Sequence, residues 1–247
     1  MKYQDKAEEI AMTNPVPRKW KGAKCNPKLL ALILRTIDRK SNKVIDAFLG
    51  TSTIPHACKK MGFNTIGIDV LPSSVLRHRA FVGNSDILTD DDINILQSEN
   101  PEKKDLFEFC YGHIFGKKTS VWIDNYISQI PKLSTQGKRD IATIAPLICF
   151  MKENKWNVFH PTKDNSITGF ENFNDIDFSK EIIDFIKDKI PTIAFQDNHK
   201  HVSLQGDALE LIPTLKAGTI ICDPPYVPEN GGSSSYESDI DSGGVNM

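Results

Sequence analysis

Residues 43–69 read KVIDAFLGTSTIPHACKKMGFNTIGID, with a strand-like run at each end of the stretch. Lys43–Phe48 and Asn64–Asp69 are short apolar runs with β-branched residues, a pattern typical of buried strands. A helix is predicted from about Ile54 to Met61, and Gly62 follows at the position of a helix C-cap. The stretch therefore predicts a β-loop-α-β unit with a glycine-bearing turn after its first strand.

Each predicted strand contains or ends in an acidic residue. Asp69 lies 23 residues after Asp46, close to the spacing of roughly 20 residues at which nucleotide-binding units place a ribose-binding acid. A helix N-terminus at the intervening turn favours an anionic or carboxylate-bearing ligand. The unit thus indicates a nucleotide-type ligand, although many such crossovers bind nothing and a strand-end acid is often only a solvated turn residue.

Two more strand patterns follow near the end of the sequence. His201–Leu204 leads through Asp207 into a short helix, and Thr219–Cys222 leads into Asp223–Tyr226, which reads Asp-Pro-Pro-Tyr. Parallel strands share one carboxyl edge, so we expect an α/β protein with a mostly parallel sheet. The acids expected to line that edge are Asp46, Asp69, Asp207 and Asp223.

Residues 80–200 form a long insertion between the second and third strands. It is polar, with amphipathic helical patterns at Ser120–Ile130, Lys138–Lys152 and Ser179–Ile190. Its length predicts a helical subdomain. The predicted domains are 18–79, 80–200 and 201–247. Residues 1–17 are expected to be a short lead-in to the first domain. Asp90–Leu96 is expected to form a helix that is capped by its own aspartates. Pro146 is expected to kink or break the helix predicted at Lys138–Lys152.

Composition narrows the class of protein. The 247 residues carry a net charge of −2 and are 39% hydrophobic, and no run is apolar enough to span a bilayer. The N-terminal residues lack the apolar core of a signal peptide, so a cytoplasmic location without membrane contact is expected. The five cysteines are scattered without metal-ligand spacing, so neither a disulfide framework nor a metal site is expected.

The Asp-Pro-Pro-Tyr loop suits a planar substrate that carries an amino group. Pro224 and Pro225 have fixed φ angles and no N–H, so the loop is rigid and offers carbonyl acceptors. Asp223 adds a carboxylate, and Tyr226 adds a ring on which a base can stack. The alternative interpretation of the tetrapeptide alone is a strand that ends in a proline turn.

Together these motifs resemble the Dam-type DNA adenine-N6 methyltransferases, which use S-adenosyl-L-methionine. In that family a basic Gly/Lys motif precedes a Phe-x-Gly-x-Gly cofactor loop, an acidic strand end, a target-recognition insertion, a further acid and Asp-Pro-Pro-Tyr. The matching segments are Trp20–Lys24, Phe48–Ser52, Asp69, residues 80–200, Asp207 and Asp223–Tyr226. The resemblance spans about 18–236 and implies a Rossmann-like methyltransferase fold with a helical insertion.

The resemblance also implies roles for individual residues. The residues assigned to the methionine end of the cofactor and its turn are Trp20, Lys24, Asp46, Phe48, Gly50 and Thr51. Asp69 would bind the ribose hydroxyls, and Gln205 with Asp207 would lie at the cofactor adenine. The catalytic residues would be Asp223, Pro224, Pro225 and Tyr226, with Asp223 also bordering the cofactor.

The insertion is the expected DNA-binding part. Its candidate phosphate contacts are Lys117, Lys118, Lys138 and Arg139. A solvated charged surface would explain these four residues equally well. The implied partners are double-stranded DNA and, in a restriction-modification pair, a cognate restriction endonuclease.

Two departures from the family pattern bear on activity. Ser52 stands where the family commonly has a second glycine, which would weaken cofactor binding if that position needs a positive φ. The sequence also ends about twenty residues after Tyr226, whereas the family continues through further strands. We therefore expect the sheet to be incomplete at its C-terminal end, with a second polypeptide as a candidate to complete it.

The leading hypothesis is transfer of a methyl group from S-adenosyl-L-methionine to adenine N6 in duplex DNA, with base flipping. The alternative is a truncated or split fragment that binds cofactor or DNA but lacks catalysis or needs a second chain for it. Methyl transfer to cytosine, RNA or protein is a third hypothesis. A dinucleotide-dependent oxidoreductase is disfavoured because the chain has no GxGxxG motif.

Overall fold

The computed structural model describes residues 3–16, 26–83, 86–153, 176–216 and 218–224. The chain divides into two compact units. The sheet unit combines Met1–Gly83 with Asp197–Met247, and the helical unit is Asn84–Gln196. The predicted insertion at 80–200 and the helical unit share residues 84–196; what that unit recognises stays a prediction.

Four strands of the described residues form one sheet. They are β1 (Lys43–Asp46), β2 (Asn64–Asp69), β3 (His201–Gln205) and β4 (Thr219–Ile221). The order across the sheet is β3-β2-β1-β4, and every neighbouring pair is parallel. The predicted α/β class with a parallel sheet is confirmed, and the arrangement is compatible with a Rossmann-like fold.

Ten helices accompany the sheet in the described ranges. The sheet unit contains α1 (Tyr3–Thr13), α2 (Pro27–Thr36), α3 (Thr53–Met61), α4 (Pro72–His78) and, near the end of the chain, α10 (Ala208–Leu211). The helical unit contains α5 (Asp90–Gln97), α6 (Leu106–Gln129), α7 (Gln136–Glu153), α8 (Phe178–Asp184) and α9 (Ile190–Ile193). A π-helical turn, Arg79–Gly83, extends α4, and another, Phe185–Lys189, joins α8 to α9.

The prediction for the N-terminal residues was wrong, because α1 is a regular helix. Its buried residues Ala7, Ile10 and Ala11 recur at helical spacing and pack in one core cluster with α2 and α3. Val44 of β1 belongs to the same cluster. The next residue, Ile45, packs with Ala208 on the other face, as the alternation of a strand requires.

Two details of the helical unit bear on the sequence predictions. The helix α7 continues through Pro146, so the predicted break there was wrong, and a kink at Pro146 stays a prediction. Buried residues on both sides of Pro146, including Ala145 and Cys149, pack in the core. The N-cap residue of α5 is Thr89, which precedes the helix, and the helix's own Asp92 takes part in the cap. Thr89 Oγ1 accepts the Asp92 N–H, and Asp92 Oδ2 accepts the Thr89 N–H at 2.8 Å, which forms a capping box.

The long helix α6 is two helical segments that meet at Gly116. Gly116 has φ 74° and ψ 155°, which no helix interior adopts. Asp124 of the second segment accepts the N–H groups of Phe107 and Glu108 at 2.7 and 2.8 Å. The second segment therefore caps the start of the first, which holds the two segments together.

Candidate functional site

The carboxyl ends of β1 and β4 form the first part of the site. These strands are neighbours although they are distant in sequence, and β2 lies on the opposite side of β1. The winding of the sheet reverses between β1 and β4, and α/β proteins bind ligands in the crevice at such a reversal. Asp46 is the last residue of β1 and pairs with Ile221, so Asp223 follows two residues beyond the same edge.

Hydrogen bonds to buried groups hold the turn after β1 on its inner side. Asp46 is buried, and its Oδ1 accepts the Phe48 N–H at 3.1 Å. The Leu49 N–H donates to the Ile68 carbonyl at 3.1 Å, which ties the turn to β2. Gly50 has φ +47°, and a Cβ there would meet no heavy atom of the described residues within 4 Å. The turn is therefore fixed on its inner side and open at Gly50.

Asp69 joins the end of β2 to the same turn. Its Oδ2 accepts the Gly50 N–H at 3.1 Å, and its Oδ1 accepts the Leu71 N–H at 2.9 Å. A carboxylate offers about four acceptor positions, of which these two bonds use one on each oxygen. Each oxygen retains capacity for a second donor, such as one hydroxyl of a vicinal diol.

Gln205 and Asp207 extend this edge to β3. Gln205 pairs with Asp69 across the sheet, and its Nε2 donates to the Val70 carbonyl at 3.4 Å. Asp207 is the N-cap of α10, where its Oδ1 accepts the Leu209 N–H at 2.8 Å. Both side chains are exposed. The fold thus brings Asp46, Phe48, Gly50, Asp69, Gln205, Asp207 and Asp223 to one edge.

Ser52 occupies a strained backbone position at the N-cap of α3. It has φ 60° and ψ 21°, in the left-handed region that favours glycine. Ser52 is 0% exposed, and its Oγ has no hydrogen-bond partner among the described residues. The hydroxyls on either side, from Thr51 and Thr53, bond to each other at 2.8 Å. Ser52 thus adopts a positive φ, the condition under which we expected the serine to weaken cofactor binding; that effect on binding stays a prediction.

Four of the predicted site residues lie outside the described residues. These are Trp20, Lys24, Pro225 and Tyr226. Pro224 is described and exposed at the end of the last described segment. The roles that the resemblance gives to all five stay predictions.

The four basic candidates of the helical unit have two kinds of surroundings. Lys138 Nζ lies 2.7 Å from Asp92 Oδ2, and the side chains are only 18% and 8% exposed. Burial alone would raise the pKa of Asp92, but hydrogen bonds from Lys138 and Thr89 lower it below its usual value. Arg139 Nη1 donates to the Leu133 carbonyl at 2.6 Å. Lys138 and Arg139 therefore have partners within the unit.

Lys117 and Lys118 are exposed instead. The Lys117 side chain is 84% exposed, and its Nζ lies 3.8 Å from Glu108 Oε1, which is the distance of a weak surface ion pair. Lys118 lies beside it on the solvent side of α6. Of the four candidates, these two are the ones accessible to a polyanion.

The sequence prediction missed three residues that pack beneath the turn after β1, on the side of the sheet: Gly67, His78 and Ser203. A Cβ on Gly67 would lie 2.4 Å from Leu49 Cδ2 and 2.8 Å from His78 Cδ2, so a larger residue would force these side chains to shift. His78 Nδ1 lies 2.7 Å from Ser203 Oγ. Burial, with the charges of His201 and Lys59, lowers the pKa of His78 to about 3, so the ring is neutral. A glycine inside a strand was the available signal of this close approach.

Three further findings concern the chain more widely. No helix in the described ranges combines the length and the apolar character needed to cross a membrane. The described residues bring together no group of three or more His, Cys, Asp or Glu side chains that could hold a metal ion. No protein-family model, no curated protein and no solved structure matches the chain.

Proposed function

We propose that this chain is an S-adenosyl-L-methionine-dependent methyltransferase that acts on adenine N6 in duplex DNA. The observation that carries the proposal is the position of Asp46 and Asp223 at the carboxyl ends of adjacent parallel strands, where the sheet reverses its winding. A cofactor turn and a target-base loop have to meet in such a crevice. The motif resemblance supplies the chemistry, and the cytoplasm is the location it implies.

The described residues fit the cofactor at its ribose. Asp69 retains one acceptor position on each oxygen, which suits the two ribose hydroxyls. Gly50 is open to approach in the described part of the chain, where no atom occupies the space beside its Cα. Gln205 and Asp207 are exposed next to Asp69 in the sheet and would flank the adenine ring. The bound cofactor would supply a methyl group made electrophilic by its sulfonium.

The residues after β4 would position the target base. The lone pair of adenine N6 is delocalised into the ring, so the nitrogen is a poor nucleophile. Asp223 and the Pro224 carbonyl would accept its two hydrogens, which draws the nitrogen toward tetrahedral geometry and aims its lone pair at the methyl carbon. Methyl transfer to N6 would leave the electron pair of the broken C–S bond on the cofactor sulfur, and N6 would then release a proton to solvent.

Access to N6 requires that the base leave the duplex. Rotation of a base out of the stack costs a few kcal/mol, which stacking on an aromatic ring partly offsets. Tyr226 follows the two prolines and would supply that ring. In the helical unit, Lys117 and Lys118 would contact backbone phosphates, because both are exposed.

A second candidate function is binding of the cofactor or DNA without methyl transfer. Ser52 favours it. A serine at positive φ, with a buried hydroxyl that has no partner in the described ranges, destabilises the turn that would hold the cofactor. Both candidates predict binding of the cofactor or of DNA, and only the first predicts methyl transfer.

The test is transfer of labelled methyl from S-adenosyl-L-methionine to duplex DNA, RNA and protein in parallel reactions. We expect label in DNA, recovered as N6-methyladenine, and none in the other two acceptors. Cofactor binding without label in any acceptor would support the second candidate. Absence of both binding and transfer would contradict the two together, and label in RNA or protein would reassign the acceptor.

A further inference from the structure

The described residues of the helical unit line a cleft of about 850 Å³. They come from three parts of the unit: residues within 115–125 of α6, residues within 97–103 at the end of α5 and in the connection that follows it, and residues within 176–179 at the start of α8. Pockets for small ligands measure about 300–1,000 Å³. The cleft therefore has room for one or two nucleotides.

Side-chain amides fasten the connection from α5 to α6 onto α6. Asn125 Oδ1 accepts the Asn100 N–H at 2.6 Å, and Asn125 Nδ2 donates to the Ser98 carbonyl at 2.6 Å. Gln129 Nε2 donates to the same carbonyl at 2.7 Å. Asn125 is 8% exposed, and Gln129 is 0% exposed. This side of the cleft is therefore formed before a ligand arrives, which lowers the ordering cost of binding.

Trp122 supplies an aromatic ring to the cleft. The ring stacks on Tyr126, with 5.1 Å between the ring centroids and 30° between the ring planes. Tyr126 is itself buried, and its hydroxyl donates to the Ala142 carbonyl at 2.9 Å. Trp122 is only half-buried, and it lines the cleft. A fixed aromatic ring that remains accessible is a stacking platform for a nucleic-acid base.

Positive charge exceeds negative charge among the described residues that line the cleft. The charged residues of the lining are Lys103, Lys117, Lys118, Glu99 and Asp177. Asp177 is engaged as the N-cap of α8, where its Oδ1 accepts the Lys180 N–H at 3.1 Å. Lys117 and Lys118 are exposed, and the ion pair of Lys117 with Glu108 is long, at 3.8 Å. These two lysines therefore present positive charge to an anionic ligand.

We propose that this cleft binds one unpaired nucleotide of a DNA strand, with its base against Trp122 and its phosphate at Lys117 and Lys118. A base inside a duplex is covered on both faces by its neighbours, so only an unpaired base can lay a face on an aromatic side chain. The choice of DNA rests on the proposed function, in which base flipping leaves the partner of the flipped base unpaired. The site goes beyond that function, which gives the two lysines phosphate contacts and assigns no base to the helical unit.

The test compares a fluorescently labelled single-stranded oligodeoxynucleotide with the fully paired duplex of the same sequence. Fluorescence anisotropy gives the dissociation constants of the wild type, Trp122→Leu and Trp122→Phe. Trp122→Leu keeps an apolar side chain against Tyr126 but has no ring, so we expect about tenfold weaker binding of the single strand. Its binding of the duplex should be unchanged. Equal losses on the two DNAs, or no loss on the single strand, would overturn the proposal.

Two further comparisons keep the result interpretable. Trp122→Phe keeps a smaller ring, so it should weaken binding of the single strand by a few-fold and leave duplex binding unchanged; it decides the question if Trp122→Leu does not fold. The double variant Lys117→Ala/Lys118→Ala should also bind the single strand more weakly. Its matched control is Lys180→Ala/Lys187→Ala, which changes two exposed lysines of the same unit outside the cleft. Equal losses in the two double variants would contradict the phosphate contact.

Single-stranded RNA and the methyl-transfer reaction complete the test. Tighter binding of RNA than of single-stranded DNA would overturn the choice of DNA. If the wild type methylates DNA while Trp122→Leu binds both DNAs like the wild type, the proposed function stands and the nucleotide site fails. Binding of the single strand that depends on Trp122, in a protein that transfers no methyl group, would support the nucleotide site and contradict the proposed function.

Discussion

The backbone N–H of Gly50 donates a hydrogen bond of 3.1 Å to the carboxylate of Asp69. Gly50 lies in the turn after β1, and Asp69 is the last residue of β2, so the bond joins two adjacent strand ends. An acid that was expected to serve a ligand thus already holds the turn. In the proposed function, cofactor binding and local stability therefore depend on the same side chain.

Substitution of Asp69 should therefore affect both properties. Asp69→Ala leaves the N–H groups of Gly50 and Leu71 without their acceptor, so we expect the free energy of unfolding to fall by about 1–3 kcal/mol in urea titrations. Cofactor binding should also weaken more than tenfold, because the ribose loses its partner. Glu210→Ala, which removes an exposed acid of the same unit, should change neither value. A stable Asp69→Ala variant with intact binding would refute this role.

Ser52 offers the opposite test, a substitution that should stabilise the protein. Ser52→Gly relieves a positive φ and removes a buried hydroxyl without a partner, so we expect a gain of about 1 kcal/mol in the free energy of unfolding. Cofactor binding should strengthen as well. Ser52→Ala removes the hydroxyl but keeps the Cβ, so it isolates the backbone contribution and should gain less. A loss of stability in Ser52→Gly would show that the hydroxyl has an essential partner.

The neutral state of His78 predicts a loss of stability in acid. An unfolded histidine binds its proton near pH 6.5, whereas the folded His78 has a pKa of about 3. The unfolded state therefore binds more protons between these values, so stability is full above pH 6.5 and falls as the pH drops toward 3. Protonation of this one group in the unfolded state should lower the free energy of unfolding by about 2 kcal/mol at pH 5, relative to its value at neutral pH.

The measurement is the free energy of unfolding at pH 7 and pH 5. His78→Asn keeps a polar atom for Ser203 and removes the titration, so its loss between the two pH values should be smaller than that of the wild type. His199→Asn changes an exposed histidine and should follow the wild type. Equal pH dependence in His78→Asn and the wild type would contradict the assignment.

The basic residues of the helical unit should separate into two groups. The double variant Lys117→Ala/Lys118→Ala should bind DNA more weakly than the wild type, with an unchanged free energy of unfolding. The slope of log K against log salt concentration should become less steep by about two, because two phosphate contacts are lost. Lys138→Ala should instead cost about 2 kcal/mol of unfolding free energy, because it leaves the Asp92 carboxylate buried without its ion-pair partner. Fluorescence anisotropy at several salt concentrations and urea titrations measure the two effects. An unchanged salt slope in the double variant would exclude these lysines as phosphate contacts.

Local patterns were sufficient to predict much of the fold. The β1–α3–β2 unit could be predicted because its strand residues, its turn and Gly62 follow one another in the sequence, and Gly62 does end α3 with φ 91°. The acids at strand ends could be predicted for the same reason. The helix α1 was missed, although Ala7, Ile10 and Ala11 have helical spacing, because the alanines are weak signals of a buried face.

Contacts between distant residues could not be read from the sequence. The bond from Asn14 to Thr53, the pair of Lys138 with Asp92 and the contact of His78 with Ser203 each join residues that are more than 30 positions apart. Their partners depend on how helices pack on the sheet or on each other, which periodicity does not encode. The same is true of the Gly50–Asp69 bond, which depends on the conformation of the turn.

Methyl transfer to DNA adenine by Asp223→Ala, beside the wild type and Glu210→Ala, tests the central claim most directly. In single-turnover reactions with saturating cofactor, the wild type and Glu210→Ala should produce N6-methyladenine. Asp223→Ala should bind the cofactor and yet transfer at least a hundredfold more slowly, in line with the loss of one preorganised group at a reacting atom. Equal transfer rates in Asp223→Ala and the wild type would contradict the proposal that the Asp-Pro-Pro-Tyr loop positions the target base.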